Sequence, residues 1–143
     1  MKVFFPGSFR PFTKGHHDIV TRLLSIFDEV VVGIGVNEQK AQTDDHLERK
    51  AAIETLFAHE ERVSVVCYST LTITCAKEVG AKVIVKGVRS VKDYEYEREQ
   101  AEVNRMLGIE TLLLPATPEL ACISSSVVRD LQHFGQDVTQ LLP

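Results

Sequence analysis

The side chains in this 143-residue chain that could do chemistry gather in four short stretches. They are Gly7–His16 (GSFRPFTKGH), Asn37–Lys40, Lys86–Arg89 (KGVR) and Ser124–Ser126. All four suit the binding of anions. A helix beginning near Gly15-His16 exposes unpaired backbone N–H groups and the positive end of its dipole. Gly15 has no side chain to hold a phosphate away. His16 in the first turn can donate a ring N–H, and Ser8 offers a hydroxyl across the loop. Lys40, Lys86 and Arg89 add three cations, arginine with a two-pronged grip and lysine as a point charge. Ser124, Ser125 and Ser126 open a second helix, where one serine suffices as an N-cap and three suit a polyphosphate better. The plainer alternative makes Ser8 and Thr13 turn and cap residues, and His16 and the cations solvated surface groups.

The elements that must position these stretches alternate. Strands are expected at Lys2–Phe5, 29–36, Arg62–Tyr68, 82–87 and 109–115. The spacing of apolar residues predicts helices over Asp18–Phe27, Leu47–Phe57, Thr70–Val79, Asp93–Leu107 and Ser124–Phe134. The run EVVVGIGV at 29–36 reads as a strand buried on both faces. Such alternation predicts one α/β domain over residues 1–143: a doubly wound, five-stranded parallel sheet with Rossmann-like right-handed crossovers. Ligands of such sheets sit beyond the strand carboxyl ends, where the four stretches fall. The segment Gly7–His16 looks long for a strand-to-helix turn, which ordinarily takes about 2–6 residues. Tyr94 and Tyr96 are expected to pack. Asn104, deep in the fourth helix, is poorly explained by helix propensity.

Composition excludes several classes. Apolar residues at 44% and charged residues at 25% are globular values. A net charge of −4 argues against a nucleic-acid footprint, and no apolar run has the length of a membrane span. Cys67, Cys75 and Cys122 are scattered and odd in number, so they are expected to be buried thiols in a reducing, cytoplasmic compartment. No Walker A sequence, dinucleotide fingerprint or metal-ligand cluster is present. Phosphate grips without an evident base suit nucleotidyl transfer, where positioning and charge stabilisation do most of the work.

The segments PGSFRPFTKGHHDIVTR, FDEVVVGIGVN, KGVRSVKDYEYE, NRML and ISSSVVRDL occur in that order. Together they resemble the nucleotidyltransferase superfamily with the T/H-x-G-H motif, and within it the bacterial phosphopantetheine adenylyltransferases. The resemblance implies transfer of AMP from ATP to 4′-phosphopantetheine, giving dephospho-coenzyme A and pyrophosphate. It implies catalytic roles for His16 and Lys40. ATP would meet Ser8, Phe9, His16, Gly87, Val88, Arg89, Glu97 and the three serines. The acceptor would meet Ser8, Lys40, Leu71, Thr72, Lys86 and Asn104. Magnesium carried on ATP phosphates, a homohexamer and inhibition by coenzyme A are also implied. Arg10 stands where the family usually has aspartate, and Lys86 where it commonly has arginine. The rival readings are a relative using nicotinamide mononucleotide or a cytidylyl acceptor, disfavoured by Thr13 at the first motif position, and a non-catalytic adenine-nucleotide sensor.

Overall fold

The computed structural model describes all 143 residues. Five strands, β1 (Lys2–Gly7), β2 (Glu29–Gly35), β3 (Val63–Tyr68), β4 (Val83–Val88) and β5 (Glu110–Pro115), alternate with five α-helices. The helices are α1 (Lys14–Leu24), α2 (His46–Leu56), α3 (Thr72–Glu78), α4 (Val91–Met106) and α5 (Ser125–His133). Every strand pair is parallel and the order is β3-β2-β1-β4-β5, so the order reverses between β1 and β4.

Side-chain alternation splits the core into two layers. Val3, Phe5, Val30, Val32, Ile34 and Val85 face α1 and α2, packing with Ile19, Val20, Leu23 and Ile53. Phe4, Val31 and Ile84 face the other way, onto Ile73, Cys75 and Ala76 of α3. β2 is buried on both faces from Val30 to Ile34, as its unbroken apolar run predicts.

β1 runs through Pro6 to Gly7 instead of ending at Phe5, the end expected from the sequence. The connection to α1 is therefore only Ser8–Thr13, of ordinary length, because α1 also begins at Lys14, ahead of its predicted start. Proline is tolerated in this central strand because the sheet splits beside it. β1 pairs with β2 along its whole length but with β4 only at Val3 and Phe4. The Pro6 carbonyl faces the gap and accepts from Lys86 Nζ at 3.5 Å, so the missing Pro6 N–H costs no ladder bond. At its other end α1 stops at Leu24, with Ser25 as C-cap, leaving Phe27 outside the helix.

Cys75 is buried and Cys67 half-buried, but Cys122 is exposed, against the expectation of three buried thiols. Tyr94 and Tyr96 are 47% and 62% exposed and are not core residues, since α4 buries none of its side chains fully. No helix is long and apolar enough to cross a membrane.

Candidate active site

The split between β1 and β4 opens a cavity of about 340 Å³ at the point where strand order reverses, the place that doubly wound sheets favour for ligands. The end of β1, the end of β4 and the N-termini of α1 and α5 form its walls, with Ser8, Phe9, Gly15, His16, Lys86, Gly87, Arg89, Glu97 and the three serines among the lining. Two helix N-termini thus face one space, and both bias it toward anions. Ala116, Leu120, Ile123 and Ile19 supply an apolar side.

His16 is oriented by a capping box. Thr13, itself buried, caps α1, and its backbone N–H donates to His16 Nδ1 at 2.9 Å. The His16 backbone N–H returns a bond to Thr13 Oγ1 at 3.4 Å. With Nδ1 accepting, the neutral ring carries its proton on Nε2, the nitrogen left to serve a ligand. The Phe9 ring meets the imidazole edge-on, with centroids 4.9 Å apart. Phe9 has φ 50, an unusual conformation for a bulky residue, and its ring folds back over Gly7, where a Cβ would come within 2.9 Å of it.

Burial, followed by the charges of Lys86 and Arg89, lowers the His16 pKa to about 4. The unfolded imidazole titrates near 6.5, so between about 6.5 and 4 the unfolded chain holds a proton that the native one lacks. The contribution of this group to stability is therefore intact above about 6.5 and declines as pH falls toward 4. An NMR titration of the ligand-free protein is expected to show the His16 ring neutral at pH 7, with a midpoint about 4. A midpoint near 6.5 would contradict the environment described here.

The cations are held by carboxylates of α4. Arg89 donates through Nε and its backbone N–H to Asp93 Oδ2, at 3.0 and 3.1 Å. Lys86 Nζ lies 3.8 Å from Glu97 Oε1, and burial raises the Glu97 pKa against the pull of that ammonium. Ser124 caps α5, its Oγ accepting from the Val127 N–H at 3.1 Å. Ser125 Oγ donates to the Pro11 carbonyl at 2.8 Å, tying α5 to the opening loop. The Ser126 hydroxyl touches Ser124 Oγ at 3.2 Å.

A second, more polar cavity of about 190 Å³ adjoins the first and shares Pro6, Gly7, Lys86 and Glu97 with it. It lies toward α3 and α4. Thr72, Asn104, Tyr68, Tyr96, Gln100 and Thr111 line it, with Tyr68 Oη 3.0 Å from Thr72 Oγ1 and Asn104 Nδ2 donating to Thr111 Oγ1 at 3.0 Å. The cross-link to β5 accounts for an asparagine deep in α4.

Three sequence candidates stand apart from both cavities. Lys40 is exposed at the end of a 3-10 turn after β2, with no ion pair. Leu71 is 68% exposed as the N-cap of α3, and Val88 is the last residue of β4, paired with Pro115. Arg10 is exposed outside the cavity, and its charge acts on Asp44, a carboxylate already held by Arg49 at 2.7 Å. Sequence reasoning missed Arg129, which lines the larger cavity and donates to the Arg10 carbonyl at 2.7 Å. Its position one turn beyond Ser125, on the same helix face, was the available signal.

Comparison with known proteins agrees with this geometry. The cytidylyltransferase-like family model matches residues 4–131. The phosphopantetheine adenylyltransferase of Bacteroides thetaiotaomicron is 46% identical, over 99% of this chain and 95% of that protein. That of Phocaeicola vulgatus is 50% identical over the same shares. The chain belongs to the phosphopantetheine adenylyltransferase family. A more distant member, from Oenococcus oeni, is 40% identical over 100% of this chain and 92% of its own. A solved structure from Vibrio parahaemolyticus, assigned as a nicotinate-nucleotide adenylyltransferase, superposes with a TM-score of 0.65, covering 99% of this chain and 85% of that one. At 15% identity it bears on the fold alone.

Proposed function

We propose that the chain transfers the adenylyl group of ATP to 4′-phosphopantetheine, releasing pyrophosphate and forming dephospho-coenzyme A, a step of coenzyme A synthesis. The observation that carries this reading is the meeting of two cavities at one ammonium. Lys86 borders both the chamber built from two helix N-termini and the polar chamber beside α3 and α4. A nucleoside triphosphate fits the first and a phosphorylated, amide-bearing arm the second, so the two phosphates would meet at Lys86 and His16.

The acceptor needs no general base, because a phosphate monoester with a second pKa of about 6 is mostly dianionic at neutral pH. One of its oxygens attacks the α-phosphorus. The bond from that phosphorus to the oxygen bridging to the β-phosphate breaks, and pyrophosphate leaves with the electron pair. In this reading neutral His16 donates from Nε2 to the phosphoryl oxygens as charge moves across them. Lys86 and Ser8 hold the acceptor phosphate. Arg89, the three serines and Arg129 hold the triphosphate, with Phe9 and Gly87 bordering it. Thr72 and Asn104 sit beside the acceptor arm. Lys40, free of any protein partner, would join only by moving its turn toward the phosphates.

Magnesium enters as part of the ATP substrate. The carboxylates of the larger cavity, Asp93 and Glu97, are engaged by Arg89 and Lys86. That donor set suits an ion held by phosphate oxygens and water, which magnesium prefers to an all-protein cage.

Cytoplasmic location, a homohexamer and inhibition by coenzyme A complete the reading. Apolar side chains left exposed on α4 and on the edge strand β5, Val103, Met106 and Leu112 among them, support self-association. The deciding experiment is pyrophosphate release from ATP and magnesium with 4′-phosphopantetheine, nicotinamide mononucleotide or no acceptor. Release only with phosphopantetheine is expected. Release with the nicotinamide acceptor would replace the substrate, and ATP binding without release would leave a nucleotide sensor.

A further inference from the structure

Behind the apolar side of the larger cavity lies a polar tether between α1 and the segment after β5. Thr117 occupies the N-cap position of the 3-10 turn Pro118–Leu120, yet its hydroxyl does not cap that turn. It donates instead to Asp18 Oδ2, 2.7 Å away and 99 residues earlier in the chain. Asp18 also accepts from Arg22 Nη1 at 3.4 Å, and that same Nη1 donates to the Pro115 carbonyl at 2.8 Å. Asp18 and Arg22 lie one turn apart on α1, the helix whose first turn carries His16.

The tether grips residues 115–123 on both sides of Ala116. Its two bonds, at Pro115 and Thr117, are the side-chain hydrogen bonds that fasten this segment to the rest of the protein. From the segment, Ala116, Leu120 and Ile123 enter the cavity lining on the side of Ile19. Asp18, Arg22 and Thr117 do not line the cavity themselves. Elsewhere the lining sets Phe5, Pro6 and Phe9 among hydroxyls, charges and helix ends suited to phosphate. The wall the tether holds contributes three apolar side chains, clear of the two helix N-termini's phosphate grips, against which a flat ligand group can lie.

We propose that Asp18 is a positioning residue for the nucleoside end of the nucleotide: through Thr117 and Arg22 it sets the distance between α1 and the Ala116–Ile123 wall that the base fills. The inference rests on the adenylyl-transfer reading and adds the group that sets base affinity independently of phosphate affinity. Loss of the tether loosens the wall and leaves the phosphate grips of α1 and α5 in place, because α5 is joined to the opening loop separately, by Ser125 and Arg129.

The test is calorimetric titration of the full chain with AMP, with magnesium ATP and with inorganic pyrophosphate. It compares wild type with Thr117→Val, Thr117→Ser, Asp18→Ala and the double variant Asp18→Ala/Thr117→Val. Thr117 is partly exposed and valine matches its shape, so that variant is expected to fold. Losing a hydroxyl bond to a carboxylate is expected to weaken AMP and magnesium ATP by about tenfold to a hundredfold. Pyrophosphate affinity is expected to stay unchanged, Thr117→Ser to match wild type, and the double variant to be no worse than Asp18→Ala. In turnover the loss should fall on KM for ATP and spare kcat at saturation. Unchanged AMP affinity in Thr117→Val, or an equal loss for AMP and pyrophosphate, would overturn the proposal as a merely structural contact. Failure of the wild type itself to bind AMP or ATP would overturn the adenylyl-transfer reading, and the tether with it.

Discussion

Replacing His16 by glutamine is expected to abolish most turnover while leaving the fold as stable as before. The two effects separate because the imidazole does two jobs with its two nitrogens. Nδ1 accepts the Thr13 backbone N–H and closes the capping box at the start of α1. Nε2 is the nitrogen left for a ligand, which in the proposed reaction is the phosphates. Glutamine at the third helical position can close the same box, so α1 keeps its first turn. It cannot place a donor where the Nε2–H stands. Removal of one preorganised donor to developing charge costs about 2.7–4 kcal/mol, so kcat should fall about 10²–10³-fold. His16→Ala should lose the same rate and also about 1 kcal/mol of helix capping, visible as a lower melting temperature than His16→Gln. Single-turnover rates and thermal melts of both variants check this. Wild-type turnover in His16→Gln would remove the histidine from the chemical step.

The second large effect lies in the core, under the second cavity. Gly33 is a strand residue whose absent side chain makes room for a ring. A Cβ there would stand 2.2 Å from Phe4 Cζ, far inside any real contact. Phe4 is fully buried and packs on Tyr68 with ring centroids 5.7 Å apart, and the Tyr68 hydroxyl lines the second cavity. Gly33→Ala is therefore expected to destabilise the protein by about 1–3 kcal/mol through overpacking. The displaced Phe4 ring should push on Tyr68 and raise KM for the acceptor more than for ATP. A shorter partner should relieve the clash, so Phe4→Leu combined with Gly33→Ala should be less destabilised than the sum of the single changes. Denaturant melts of the two singles and the double measure it. Additive losses would show that the ring is not what the glycine accommodates.

Gly33 also shows where sequence reading reaches its limit. Its place in a strand was legible, and so was its failure to match a dinucleotide fingerprint. The reason for the glycine lies on β1, in a ring that only the parallel register Pro6↔Gly33 brings overhead. Asn104 is similar: poor helix propensity marked it as odd, and the bond to Thr111 on β5 explains it. The tyrosines of α4 went the other way. Their apolar bodies suggested packing, but α4 buries no side chain fully and leaves both exposed, Tyr96 in the lining of the second cavity.

What the sequence determined by itself is the local physics. Apolar periodicity specified five strands and five helices, in the right order and with ends correct to within a few residues. The Thr-x-Gly-His and Ser-Ser-Ser runs announced two helix N-termini, because capping and exposed N–H groups depend on neighbours in the chain. Ordered motifs along the whole length carried the family. The tertiary structure decided which of these features share a space. It split the sheet beyond Phe4 and Ile84, set Lys86 at the junction of two cavities, brought Arg129 into the lining of the larger one, and joined Thr117 to Asp18. It also lowered the His16 pKa, through burial and two cations contributed by a distant strand end. Such pairings depend on strand register and crossover geometry, which no local pattern encodes. For the same reason the sequence could name Lys40 and Leu71 as candidates, and only the fold could place them outside both cavities.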